Sequence, residues 1–182
     1  MRRLGAGIAA LAVLGGTLPV SADVFPRTSA GTASVIARKT GEEARFIDLD
    51  GWRSIDIAQE LLVGDTLRTN SYGHLAVLFI DNTQIRLGRN STMVVKKIGS
   101  AEDTILGLES GTLWGRAERG DEGVTIETPA AAAAIRGTDW TLTVEGDKTS
   151  LIVLEGVVEL YNEFGSVSVT RGEAASARIG QA

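Results

Sequence analysis

The sequence predicts an all-β protein: one domain of many short strands, in a double-layered or β-solenoid-like arrangement, with at most one short helix. Three observations predict it. Short runs alternate apolar and polar side chains, as half-buried strands do. Turn formers separate the runs, among them Asp81-Asn82, Gly120-Asp121, Glu122-Gly123 and Gly146-Asp147. The chain also echoes itself. Leu108-Glu109-Ser110-Gly111 is answered by Leu154-Glu155-Gly156, and Val124-Thr125-Ile126 by Val167-Ser168-Val169, which hints at a repeated strand–turn–strand unit.

In order, the β-like runs are 32–38, 65–69, 74–80, 83–88, 91–98, 111–117, 123–128, 138–144, 150–156, 157–161 and 166–170. In 83–88, Ile85 and Leu87 face inward, with Gln84 and Arg86 outward. In 138–144 the inward set is Trp140, Leu142 and Val144. The run 74–80 is apolar on both faces and reads as fully buried. The one helix expected is Asp56–Leu62, whose apolar spacing is helical and which Gly64 would end. Residues 127–142, ETPAAAAAIRGTDWTL, carry mixed signals. Thr128 suits a helix cap, Pro129 the first helical position and Gly137 a stop. Yet five alanines are too few to hold a helix alone, and Thr128 before proline favours extended backbone.

The chain opens with Arg2-Arg3, an apolar run over 4–14, helix breakers, and small residues ending at Ala22. That is the pattern of a cleaved secretory signal spanning 1–22, with the general secretory route favoured over twin-arginine export. The run is too short for a membrane span, and no later stretch is long enough. A periplasmic or secreted protein is expected, with a flexible lead-in over 23–31 and one domain over 32–178. Cleavage removes two positive charges and no acidic ones from a chain of net charge −5, leaving −7. Such acidity argues against nucleic-acid partners and anionic membrane surfaces.

There is no cysteine and one histidine, so disulfides, thiol catalysis and thiolate metal sites are excluded. His74 reads as a strand-edge residue. No serine sits in a nucleophile elbow, and no phosphate-binding loop or dinucleotide fingerprint is present. Glu42-Glu43, Asp48/Asp50, Glu102-Asp103 and Asp121-Glu122 read as solvated turn tips rather than hydrolytic or calcium-binding carboxylates. No enzyme, metal or cofactor is expected. Arg136-Gly137-Thr138 offers two readings. Arg136 beside Trp140 clamps a carboxylate or stacks on a sugar, or Gly137 supplies an unusual backbone angle while Arg136 pairs with a nearby acid. Trp52, Trp114 and Trp140 read as core or rim. Trp114, Arg136 and Trp140 are the candidate exposed binding residues.

The run T-P, small residues, then I-R-G-T-D-W resembles the signature of FecR domains. Other landmarks follow in the family's order: Gly64-Asp65-Thr66-Leu67-Arg68-Thr69, Asp81–Leu87, Leu108–Leu113, Val153–Val158 and Gly172-Glu173-Ala174. The resemblance spans 64–175. It marks Gly64, Asp65, Asp81, Gly111, Thr128, Pro129, Arg136, Gly137, Thr138, Trp140 and Gly156 as family positions, structural or partner-binding. It implies an all-β module, so 130–136 is expected as a strand. It also implies a binding role in envelope signalling or assembly, with an envelope protein as partner. Glycan or peptidoglycan is the alternative ligand. Regulators of this family hold a sigma factor through a cytoplasmic segment, whereas only three residues precede the apolar run here. Direct sigma-factor binding is therefore not expected.

Overall fold

The computed structural model describes residues 24–29, 31–99, 103–117 and 123–181. The expected signal over 1–22, its cleavage point, and Glu102, Asp121 and Glu122 lie outside the described residues. The strands are β1 (Ala33–Arg38), β2 (Glu43–Arg45), β3 (Trp52–Ser54), β4 (Glu60–Leu61), β5 (Thr66–Arg68), β6 (Leu75–Phe79), β7 (Gln84–Leu87) and β8 (Thr92–Lys97). They continue with β9 (Thr104–Arg116), β10 (Val124–Glu127), β11 (Ala132–Ile135), β12 (Asp139–Glu145), β13 (Lys148–Glu155), β14 (Val157–Asn162), β15 (Gly165–Thr170) and β16 (Ala174–Arg178). The protein is all-β, as expected, and no helix occurs among the described residues.

The strands form two layers joined through β9. Sheet A runs β4-β1-β6-β7-β9-β12-β13-β16, and sheet B runs β3-β2-β5-β8-β9-β10-β11-β14-β15. Every pair is antiparallel except β9 with β10. Residues 104–110 of β9 pair in sheet B and residues 111–116 in sheet A. Gly111 makes the corner at φ +84°, and Gly156 makes a second corner, also at φ +84°, where β13 of sheet A passes into β14 of sheet B. The echo in the sequence is thus a repeated crossing between layers. Side chains at period two from both sheets meet in one core, which includes Val77, Ile85, Leu87, Leu113, Trp140, Leu142 and Leu151 from sheet A and Met93, Leu106, Ile126, Ala133, Ile135 and Val158 from sheet B.

The second part of the alanine run is a strand, Ala132–Ile135, while Ala130, Ala131 and Arg136 of the expected 130–136 lie outside it. β11 pairs with β10 on one side and β14 on the other, with Ala133 buried and Ala132 and Ala134 facing outward. The helix-start signals belong to a reverse turn instead. The Thr128 hydroxyl donates to the Ala131 carbonyl at 2.7 Å, accepts from the Ala131 N–H at 3.1 Å, and shares a hydrogen bond with Thr149 of sheet A at 2.7 Å.

Three expectations need correction, and the lead-in makes contacts that the sequence did not suggest. Asp56–Leu62 is not a helix. Ala58 is left-handed at φ +67°, and Glu60–Leu61 is drawn into pairing with β1. Over 24–29 the lead-in is bonded to the domain. Arg27 is buried against Asp48 and Asp65, and Gln59 bonds both the N–H and the carbonyl of Phe25. Glu42 is not a solvated turn tip; it is 1% exposed, and its Oε1 accepts from Lys39, Thr40 and His74 N–H groups. The run 74–80 is not wholly buried: His74 and Ile80 at its ends are exposed, and Leu78 is half-buried.

Candidate functional site

Most family positions hold the fold rather than a ligand. Asp65 is fully buried, and its two oxygens accept from Arg27 Nη2 and Nη1 at 2.8 and 2.7 Å, Ile47 N–H at 2.9 Å and Leu62 N–H at 2.8 Å. The guanidinium also reaches Asp48 and lies 4.4 Å from the Phe46 ring centre. Hydrogen bonds from Arg27 hold the Asp48 carboxyl below the ordinary range. The same pairing raises Arg27 despite the opposing effect of burial. Gly64, at φ +97°, packs on Ile47. Asp81 accepts from the Thr83 N–H in its turn and from the Thr104 hydroxyl. Gly111 lies where a Cβ would strike Ser91 and Asn90, and Gly156 where it would strike Thr138.

The RGT-D-W positions divide. Gly137 is left-handed at φ +58°. Thr138 is buried, and its carbonyl accepts from the Ala117 N–H. Trp140 is 0% exposed, so it is not an exposed binding residue. Alternation turns it inward, where its indole occupies the space left by Gly115. Arg136 and Pro129 are exposed. Arg136 makes no ion pair among the described residues. It borders a recess of sheet B with Asp103, Thr125 and Glu159. Trp114 is half-buried on the outer face of sheet A, with the Arg86 and Arg116 guanidiniums 4.9 and 5.8 Å from its ring. Trp114 and Arg136 therefore serve opposite layers and form no common site.

The strongest candidate site lies where the sequence reading named nothing, at the open end formed by the last strands. β15 pairs only with β14, and β16 only with β13. The β14–β15 register closes on Asn162 opposite Gly165, which makes that pair hydrogen-bonded. Alternation then turns the backbone N–H and C=O of Ser166 and Ser168 away from β14. Thr170 also points outward, but its N–H donates to the Glu173 carboxylate at 2.8 Å and its carbonyl accepts from the Glu173 N–H at 2.9 Å. The carboxylate's bonds from the Thr170 N–H and hydroxyl hold it below its usual value. The edge 165–170 reads Gly-Ser-Val-Ser-Val-Thr, with no charge, proline or bulge to defend it. The opposite edges are defended by brevity: β4 has two residues and β3 has three.

Apolar side chains gather at the same end. Tyr161, Phe164, Val167 and Ile179 are all at least 38% exposed. Tyr161, Phe164 and Ile179 border a groove of about 790 Å³ on sheet B, whose floor includes Ala132 and whose wall carries the Lys96–Glu127 ion pair at 2.6 Å. The outward alanines of β11 keep that floor low. The sequence signal was available in the unprotected Val-Ser-Val run, but only topology identifies it as an edge. By contrast TQIRLG, which also looks like an edge strand, is β7 between β6 and β9.

Comparison with known proteins follows the same architecture. The family described as FecR protein matches residues 65–159, just over half of the chain. Two crystal structures described as a "putative anti-sigma factor" from Parabacteroides distasonis ATCC 8503, at 1.65 and 2.50 Å resolution, share the fold. Each is 16% identical with a TM-score of 0.54, over 63% of this chain and 59% of the solved one. The chain thus spans less than two thirds of the solved chains it matches. No curated protein matches.

Proposed function

The chain belongs to the FecR family, and from that premise we propose that it is a non-catalytic interaction module of the cell envelope. It acts in envelope signalling or assembly by binding a protein. Family membership and the secretory signal expected at the N-terminus support this reading. The observation that carries it is the undefended edge of β15. A six-residue uncharged edge costs a protein solubility unless something pairs with it. Here the partner contributes a strand antiparallel or parallel to β15, bonded to the backbone of Ser166 and Ser168. Its side chains reach the apolar groove beside Tyr161 and Phe164.

The test is site-specific photo-crosslinking in cells of the native producer, from position 168 on the edge and from position 72 in a distant exposed turn. A protein adduct from 168 and not from 72, lost when Ser168→Pro removes the outward N–H, is the expected result. Equal adducts from both positions, or none, would reject the β15 edge as the docking site.

A further inference from the structure

A second surface lies on the outer face of sheet A, independent of the β15 edge. Neighbouring strands place Arg86 of β7, Trp114 of β9, Thr141 of β12 and Ile152 of β13 in one transverse row. Thr112, Thr143 and Ser150 form the row on one side, with the Thr112 and Thr143 hydroxyls 3.2 Å apart. Gln84, Arg116 and Asp139 form the row on the other, with Arg116 ion-paired to Asp139 at 2.7 Å. The indole therefore lies among hydroxyl, amide and guanidinium groups on a pleated face that also carries Ile152 and the Arg116-paired carboxylate of Asp139.

Arg86 links this face to a groove of about 450 Å³. Arg38, Lys39, His74, Gln84 and Arg86 line that groove, and no carboxylate does among the described residues. Arg38 is neutralised by Asp56 at 2.7 Å. Lys39, His74 and Arg86 make no ion pair among the described residues. Glu42 lies behind them: its Oε1 accepts from the backbone N–H groups of Lys39, Thr40 and His74, and its buried Oε2 has no hydrogen-bond partner among the described residues. In a chain of net charge −5, a groove whose charged lining is Arg38, Lys39 and Arg86 favours an anionic occupant.

We propose that this face binds an acidic oligosaccharide. The C–H side of a sugar ring lies against the Trp114 indole, and its hydroxyls meet Thr112, Thr141, Thr143 and Gln84. A carboxylate of the sugar chain enters the groove. There it is forked by Arg86, which turns from the indole, and it is met by Lys39. Neutral glycans lack the anion, and acidic peptides lack the stacking ring.

The test is titration of the full chain with tetragalacturonate, with the peptide-free disaccharide of N-acetylglucosamine and N-acetylmuramic acid, whose lactyl carboxylate is free, with neutral cellotetraose and with poly-glutamate, each read by calorimetry. At least one acidic sugar binds, and which of the two does so identifies the source. Arg86→Gln and Trp114→Ala each weaken that binding roughly tenfold or more, and Ser168→Pro leaves it unchanged. Arg86→Gln changes one exposed side chain, so it decides the matter even where Trp114→Ala disturbs the fold. Failure of both acidic sugars to bind the wild type, equal binding of cellotetraose, or poly-glutamate binding that depends on Arg86 but not on Trp114 would overturn the proposal.

Discussion

The indole of Trp140 lies where Gly115 would carry a side chain: a Cβ built on Gly115 falls 2.2 Å from Cζ2. The two residues are paired across β9 and β12, so neither can move without opening the ladder. Gly115→Ala therefore overpacks the core and is expected to cost about 1–3 kcal/mol. Thermal melts of Gly115→Ala, Trp140→Phe and the double variant check this. The smaller ring recovers part of the loss, so the double variant is more stable than the sum of the single effects predicts.

Gly137 leads β11 into β12 with φ at +58°. A β-branched residue resists that angle, at about 1–2 kcal/mol. Gly137→Val is expected to lower the melting temperature by several degrees, with Gly137→Asn milder. A melt of Gly137→Val that matches the wild type would show that the turn relaxes without cost.

Arg27 and Asp65 form a buried, bidentate pair. Asp65→Ala leaves the guanidinium without its main partner and is expected to cost about 3–5 kcal/mol, measured by denaturant unfolding. The Asp48 end adds a pH dependence. Its folded value lies below 3.8, its ordinary one, so its contribution is full above that pH and is lost as pH falls through the folded value. Between pH 5 and pH 2 the wild type should lose more stability than Arg27→Gln, in which Asp48 has no cation to gain from.

The sequence disclosed the layered β class because period-two alternation survives in most strands. It also disclosed the inward set of β7 and β12, and the Gly111/Gly156 echo. What it concealed depends on long-range contacts. β2, β3 and β4 are two or three residues long, too short for any periodicity, and exist because neighbours pair with them. The apparent helix at Asp56–Leu62 has good local spacing, but pairing with β1 and the left-handed Ala58 override it. Arg27 looked like a loose lead-in residue because its partners, Asp48 and Asp65, are 21 and 38 positions away. Trp140 carried two incompatible readings, and only the vacancy above Gly115 decides between them. The functional surface was the least legible, since nothing local marks β15 as an edge or β7 as interior.

A protein partner that adds a strand to β15 must cover its outward amides. Amide hydrogen exchange of the protein alone, and then with the partner captured through position 168, reads this residue by residue. Ser166 and Ser168 amides are expected to exchange freely in the isolated protein and to become strongly protected in the complex. Val167 and Val169, already bonded to β14, should change little. Protection elsewhere with Ser166 and Ser168 still exchanging freely would contradict strand addition.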